Sequence, residues 1–160
     1  MTTLALVRHA KSDWGDPGLD DHDRPLNERG MRDAPAAAQR LVESGFAADA
    51  VLASTALRAR TTAQFFADAL GVELERREEL YGASARTLLA TAVARAVPRV
   101  VIVAHDPGMT VLAGALSGER IAHMPTCAVA TFHWDSDDWE VASSVDPDRW
   151  SFDAPRSRPR

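Results

Sequence analysis

Apolar positions along the chain fall alternately into short unbroken runs and into sets spaced three and four residues apart. The first pattern marks strands and the second marks helices buried by one face. Thr3 to Val7 is the first run, followed by a loop rich in Asp, Gly and Pro. Asn27 then predicts the cap of a helix carried by Met31, Ala34, Ala38 and Leu41 and stopped near Gly45. Ala50 to Ala53 reads as a second strand. Ser54 or Thr55 is the expected cap of the next helix, through Leu57, Thr61, Phe65 and Leu70 to a stop at Gly71. Val72 to Glu75 is a weak third strand, and Leu88, Leu89, Ala92, Val93 and Ala96 mark a helix ended by Pro98. Arg99 to Ala104 holds the β-branched run Val100-Val101-Ile102-Val103, the composition of a strand covered on both faces of a parallel sheet. Asp106-Pro107 predicts a cap and first helical position ahead of Leu112 and Leu116. Cys127 to Trp134 and Trp139 to Ser143, joined through Asp135-Ser136-Asp137-Asp138, read as a closing hairpin whose tryptophans, with Trp150, serve packing.

Strand and helix signals in this alternation predict one α/β domain: a doubly wound, mostly parallel sheet with helices on both faces and a C-terminal hairpin, strand order left open. The domain is expected over residues 1–145. An extended or disordered tail is expected over 146–160, where Pro and Arg accumulate without periodicity. A length of 160 residues suits one core without disulfides or metal.

Charge removes several function classes. A net charge of −5 with no long Lys/Arg block leaves no footprint for nucleic acid or an acidic membrane, so any anion site must be local. No stretch approaches the length of a membrane span, and the short apolar run before Arg8 is too brief for a signal-peptide core. The lone Cys127 reads as a small buried hydrophobe in a strand and suits a reducing compartment. A cytoplasmic monomer is the expectation.

Chemistry-bearing residues collect at the ends of the predicted strands. Arg8-His9 follows the first, Arg58 lies in the first turn of the helix after the second, and His105 follows the strongest. Open α/β sheets bind ligands outside the carboxyl ends of their strands, so this topology would bring the four into one crevice. Two guanidiniums and two imidazoles around a helix N-terminus suit a dianionic phosphoryl group, with arginine forks matching its oxygens. Lys11 and Arg24 are candidates to extend the pocket. Asp13, Asp16, Asp20, Asp21 and Asp23 crowd the intervening loop, as a solvated segment or as a negative rim that repels polyanions. The Asp20-Asp21-His22-Asp23 cluster lacks a partner motif of metal-ligand spacing, so neither a metal nor a cofactor is expected.

Over roughly Leu4 to Gly118 the chain resembles the histidine phosphatase superfamily, named for its Arg-His-Gly signature, and within it the small SixA-type phosphohistidine phosphatases. The resemblance rests on Val7-Arg8-His9-Ala10-Lys11, Arg24-Pro25-Leu26-Asn27-Glu28-Arg29-Gly30, Ser54-Thr55-Ala56-Leu57-Arg58-Ala59 and Ala104-His105-Asp106-Pro107. Ala10 stands where the signature has glycine. The resemblance implies a metal-independent phosphatase in which His9 attacks phosphorus while Arg8, Arg58 and His105 bind the transferring group. It also implies a carboxylate acid after the third strand, where Glu78 and Glu79 stand; Glu79 is the preferred candidate, although a solvated charge run explains the pair equally well. The implied substrate is a phosphohistidine in a protein or a small phosphorylated compound. Phosphate esters or nucleotides are an alternative, as is a phosphate-binding module without turnover.

Overall fold

The alternation of a pleated strand decides how this molecule is layered. In β1 (Thr2–Arg8) Leu4 and Leu6 face one side of the sheet and Ala5 and Val7 the other, and all four are fully buried. The computed structural model describes residues 1–155. Its further elements are α1 (Glu28–Glu43), β2 (Ala50–Ser54), α2 (Leu57–Leu70), β3 (Leu74–Arg77), α3 (Ala85–Arg95), β4 (Arg99–Ala104), α4 (Gly108–Leu116), β5 (Val129–Trp134), α5 (Trp139–Ala142) and β6 (Arg149–Asp153), with 3-10 turns at 21–23 and 78–80.

The six strands lie in the order β3-β2-β4-β1-β5-β6. The pairs β2–β3, β2–β4 and β1–β4 are parallel, whereas β5 runs antiparallel to β1 and β6 antiparallel to β5. Val100 and Ile102 of β4 join Leu4, Leu6 and Leu52 beneath α3, α4 and α5, packed on Leu88, Met109, Leu112 and Trp139. Val101 and Val103 join Ala5, Val7, Val51 and Ala53 beneath α1 and α2. There the facing residues are mostly small, Ala34, Ala37, Ala38, Ala63 and Ala67, which lets the two helices lie close to the sheet. Both faces of the central strands are thus dry, as the unbroken β-branched run requires. The mostly parallel doubly wound sheet expected from the sequence is the fold observed.

Several local expectations are corrected. The second hairpin strand is Arg149–Asp153, paired from Val129↔Asp153 to His133↔Arg149, not Trp139–Ser143. Trp139–Ala142 forms a helical turn because Asp138 caps it, accepting from Glu140 N at 2.9 Å. Trp139 and Ala142, three apart, both turn inward, and Trp139 packs near Trp134 with ring centroids 6.0 Å apart. The sheet therefore extends into the segment expected as a tail, and the domain does not close at 145. Residues 156–160 of that segment, including Arg156, Arg158 and Arg160, lie outside the described residues. Met31 is 46% exposed, and the buried stripe of α1 runs through Gly30, Ala34, Ala37, Ala38 and Leu41. Cys127 is buried as expected, but it precedes β5 with φ +62° and is not part of the strand. Among the described residues no helix is long and apolar enough to cross a membrane.

Candidate active site

Because β1, β2 and β4 are parallel, Arg8, Ser54 and Ala104 end on the same rim of the sheet. Backbone bonds pin the first of these ends. Arg8 N donates to Ala128 O, His9 N to Ala104 O, and Cys127 N reaches the carbonyls of Arg8 and His9 at 3.1 and 3.0 Å. Ala10 N donates to the Thr62 hydroxyl at 3.0 Å, and that hydroxyl donates to the Arg58 carbonyl at 2.8 Å, tying the His9 loop to the first turns of α2. The methyl of Ala10 is wholly buried in the core beneath α1 and α2, so the position tolerates a side chain.

His9 and His105 face each other with ring centroids 5.1 Å apart, and each is only 7% exposed. His9 Nδ1 lies 2.7 Å from the Ala10 carbonyl. A carbonyl can only accept, so the proton of the neutral ring sits on Nδ1 and the lone pair is on Nε2. His105 is held in the same way from its other side. Ser54 Oγ accepts from Ala56 N at 3.3 Å and lies 2.7 Å from His105 Nε2. A hydroxyl oxygen can accept twice, but the buried Ser54 hydroxyl has no other acceptor among the described residues; directing its hydrogen to Nε2 gives it one and makes His105 Nδ1 the N–H donor. Burial, reinforced by Arg58, Arg8 and Arg24, lowers the pKa of His9 to about 4. Burial, reinforced by His9 and Arg58, lowers His105 to about 3. Both imidazoles are neutral at physiological pH.

The arginines are anchored by their outer nitrogens. Arg8 Nη1 donates to Met124 O at 2.8 Å and lies 3.5 Å from Asp106. Arg58 Nη1 and Nη2 donate to the carbonyl and carboxylate of Asp21 at 2.6 and 2.9 Å. Arg24 donates through Nε and Nη2 to Asp21 Oδ1 and through Nη1 to Ser12 Oγ, with its guanidinium 3.5 Å above the Trp14 ring. What remains are three buried nitrogens without a partner among the described residues: Arg8 Nε, Arg58 Nε and His105 Nδ1. A buried donor left unpaired costs about 1–3 kcal/mol, and three such nitrogens on neighbouring side chains are chemically suited to meet an anion.

The structure thus brings Arg8, His9, Arg58 and His105 together and seats Arg24 beside them. It does not bring Glu79 there. Glu78 and Glu79 are exposed, and Glu79 lines a separate cleft of about 550 Å³ between β3 and α3 with Arg77, Arg86 and Thr87. The Lys11 side chain is exposed, while its carbonyl accepts from Asn27 N at 3.0 Å and so braces the start of α1. Asp21, Tyr81 and Ser54 are the contributors that sequence reading missed. Tyr81 donates to Asp21 Oδ2 at 2.7 Å, and its ring is edge-on to those of His105 and His22 at 5.6 and 4.9 Å. His22 is hydrogen-bonded to Thr55 Oγ1 at 2.8 Å, so His22 and Asp21 of the Asp20–Asp23 cluster face this site, while Asp20 and Asp23 are exposed. The one available signal was Asp21 three residues before Arg24.

Comparison with known proteins fits this geometry. The family model of the histidine phosphatase superfamily (branch 1) matches residues 4–85. An uncharacterized protein of Mycobacterium tuberculosis is 38% identical over 146 residues, covering 80% of this chain and 89% of that one. The crystal structure of a protein assigned as phosphohistidine phosphatase SixA from Agrobacterium tumefaciens superposes with a TM-score of 0.80 at 32% identity, over 97% of this chain and 99% of the other. A second SixA assignment, from Nakamurella multipartitia, gives 0.81 at 26% identity over 98% and 97%. The chain belongs to the histidine phosphatase superfamily and is a phosphatase by both family and fold.

Proposed function

We propose that the chain is a phosphohistidine phosphatase that works through a covalent phosphohistidine on His9. The observation that carries this is the pairing of a free His9 Nε2 with three unpartnered buried N–H groups, on Arg8, Arg58 and His105. Nε2 attacks phosphorus, the bond from phosphorus to the leaving nitrogen breaks, and its electron pair stays with the departing imidazole. Water then attacks the phosphorus held on Nε2, releasing inorganic phosphate and restoring neutral His9. The three N–H groups meet the phosphoryl oxygens, where fixed donors in a dry site count most.

Leaving-group chemistry supports a P–N substrate. The carboxylate shared by Arg58 and Arg24, Asp21, is held ionised by Tyr81, Arg58 and Arg24, far below the usual carboxylate range, and has no proton to give. An alkoxide cannot leave readily without one. A phosphorylated imidazole protonated at its distal nitrogen leaves as a neutral base, whose conjugate acid has a pKa of about 6.5, and needs no acid from the protein. The SixA assignments of relatives at 32% and 26% identity agree with this choice.

The test is turnover of a phosphohistidine-bearing protein and a panel of phosphate esters, with chelator present and ³²P used to trap the intermediate. The expected result is faster P–N than P–O cleavage, an acid-labile label on the wild type, and no label or turnover in His9→Ala. Full activity in His9→Ala overturns the nucleophile, and faster hydrolysis of alkyl phosphates overturns the substrate class.

A further inference from the structure

The groups that phosphoryl transfer does not use converge on Asp21. Four donors meet its carboxylate: Arg24 Nε at 3.2 Å and Nη2 at 2.9 Å on Oδ1, Arg58 Nη2 at 2.9 Å and Tyr81 OH at 2.7 Å on Oδ2. Its carbonyl accepts from Arg58 Nη1 as well. With Arg24 Nη1 on Ser12, every nitrogen of Arg24 has a partner, and Nε is the one buried Arg58 nitrogen without one, although each Nη of both arginines keeps a second N–H. Asp21 is therefore one guanidinium away from the phosphoryl receptor, and its charge reaches His105.

The consequence is electrostatic. Three arginines project their charge onto His9; two of them are hydrogen-bonded to Asp21, and the third, Arg8, lies 3.5 Å from Asp106. A phosphoryl group alone finds Arg8 Nε, Arg58 Nε and His105 Nδ1. A ligand bearing a carboxylate or second phosphate close to phosphorus meets an ionised Asp21 on that side, where one N–H of each outer nitrogen of Arg24 and Arg58 is already engaged. Like charges a few ångströms apart repel, here with the Asp21 side chain half exposed to solvent.

We propose that Asp21 is a specificity-determining residue, a built-in counter-anion that admits phosphoryl donors with one anionic group and rejects those with a second negative charge beside it. Phosphorylated imidazoles and esters of uncharged alcohols are admitted, while phosphorylated carboxylic acids and bisphosphates are refused. The proposal rests on the phosphatase reading above but is read out separately from it.

Calorimetry with methylphosphonate and phosphonoacetate, which share the phosphoryl-like head and differ by a carboxylate, needs no turnover. The wild type should bind phosphonoacetate at least tenfold more weakly than methylphosphonate. Asp21→Asn keeps the size and an acceptor oxygen, and there the order should reverse, with phosphonoacetate the tighter ligand. Asp21→Glu keeps the charge and should keep the wild-type order, as should Tyr81→Phe, which spares the carboxylate. A wild type that prefers phosphonoacetate overturns the proposal even if no variant folds. So does a ratio unchanged in Asp21→Asn, because a merely structural Asp21 would weaken both ligands together. Loss of His9-dependent turnover with the phosphonate ratios intact sinks the phosphatase reading and leaves this one standing.

Discussion

At the scale of single residues, the site is built from partners that spend one side of each group and leave the other free. Ala10 takes the Nδ1 proton of His9, Ser54 supplies a proton to His105 Nε2, and Asp21 takes the ends of Arg58. Two neutral imidazoles follow, since burial and the arginines oppose protonation of either. In an NMR titration of the free protein, the ring resonances of His9 and His105 should stay flat from pH 8 to about 5. They should move only as pH approaches the lowered values of about 4 and about 3. A His9 midpoint at its ordinary 6.5 would contradict the buried, arginine-flanked environment. Arg8, His9, Arg58 and His105 were legible in the sequence because each stands next to a strand end, where position alone predicts convergence. Asp21 and Tyr81 were not, because they meet Arg58 and each other across 37 and 60 residues with no local pattern to mark them. Glu79 misled for the complementary reason: a carboxylate just after β3 sits near the rim in sequence, yet the 3-10 turn at 78–80 leaves it in a different cleft.

At the scale of elements, signals that read as helix caps turn out to be shared with the site. Asn27 caps α1 as expected, accepting from Gly30 N at 2.8 Å. Ser54 does not cap α2, which starts after Ala56 without a side-chain cap, because its hydroxyl is committed to His105. The closing hairpin was misread because the Trp139–Ala142 turn offers apolar residues before the true partner strand, whose sequence Arg-Trp-Ser-Phe-Asp has little strand character by itself. Gly30 links element to site most directly. A Cβ there would lie 2.2 Å from the Lys11 carbonyl oxygen and 3.1 Å from Lys11 C and N, all backbone, so the 10–12 loop or the first turn of α1 must move. That displacement stretches the bond from Asn27 N to Lys11 O and shifts the loop that carries His9 and Ala10. Gly30→Ala should cost about 1–3 kcal/mol of stability, as overpacking commonly does, and lower kcat/KM by tenfold or more. Thermal unfolding and turnover measured on the same preparation check both, and an unchanged Tm would show that the approach is looser than described.

At the scale of the whole molecule, the neutral site makes stability depend on pH in a definable window. A histidine whose folded pKa lies below its unfolded value adds nothing to the pH dependence above the unfolded value. As pH falls past that value the unfolded chain takes up the proton first, so folding loses free energy until the folded pKa is reached. For His9 the window runs from 6.5 to about 4, and for His105 from 6.5 to about 3. At about 1.4 kcal/mol per pH unit, one such histidine costs on the order of 2–3 kcal/mol by pH 4.5. Asp21 and Asp49 act with the same sign but later. Tyr81 with Arg58 and Arg24 hold Asp21 below its ordinary 3.8, and Arg99 holds Asp49 below it, so their contribution is present above 3.8 and is lost on further acidification. His133, lowered by burial and by Arg149, adds a smaller term in the histidine window. Urea unfolding at pH 7.5 and 4.5 should therefore show a clear fall in free energy before Asp21 and Asp49 take up their protons. A His9→Gln/His105→Asn double variant should lose most of that fall while keeping the residue due to His133. Equal slopes in wild type and variant would mean that the acid sensitivity arises elsewhere, and that these two imidazoles are not held neutral at a cost the rest of the fold supports.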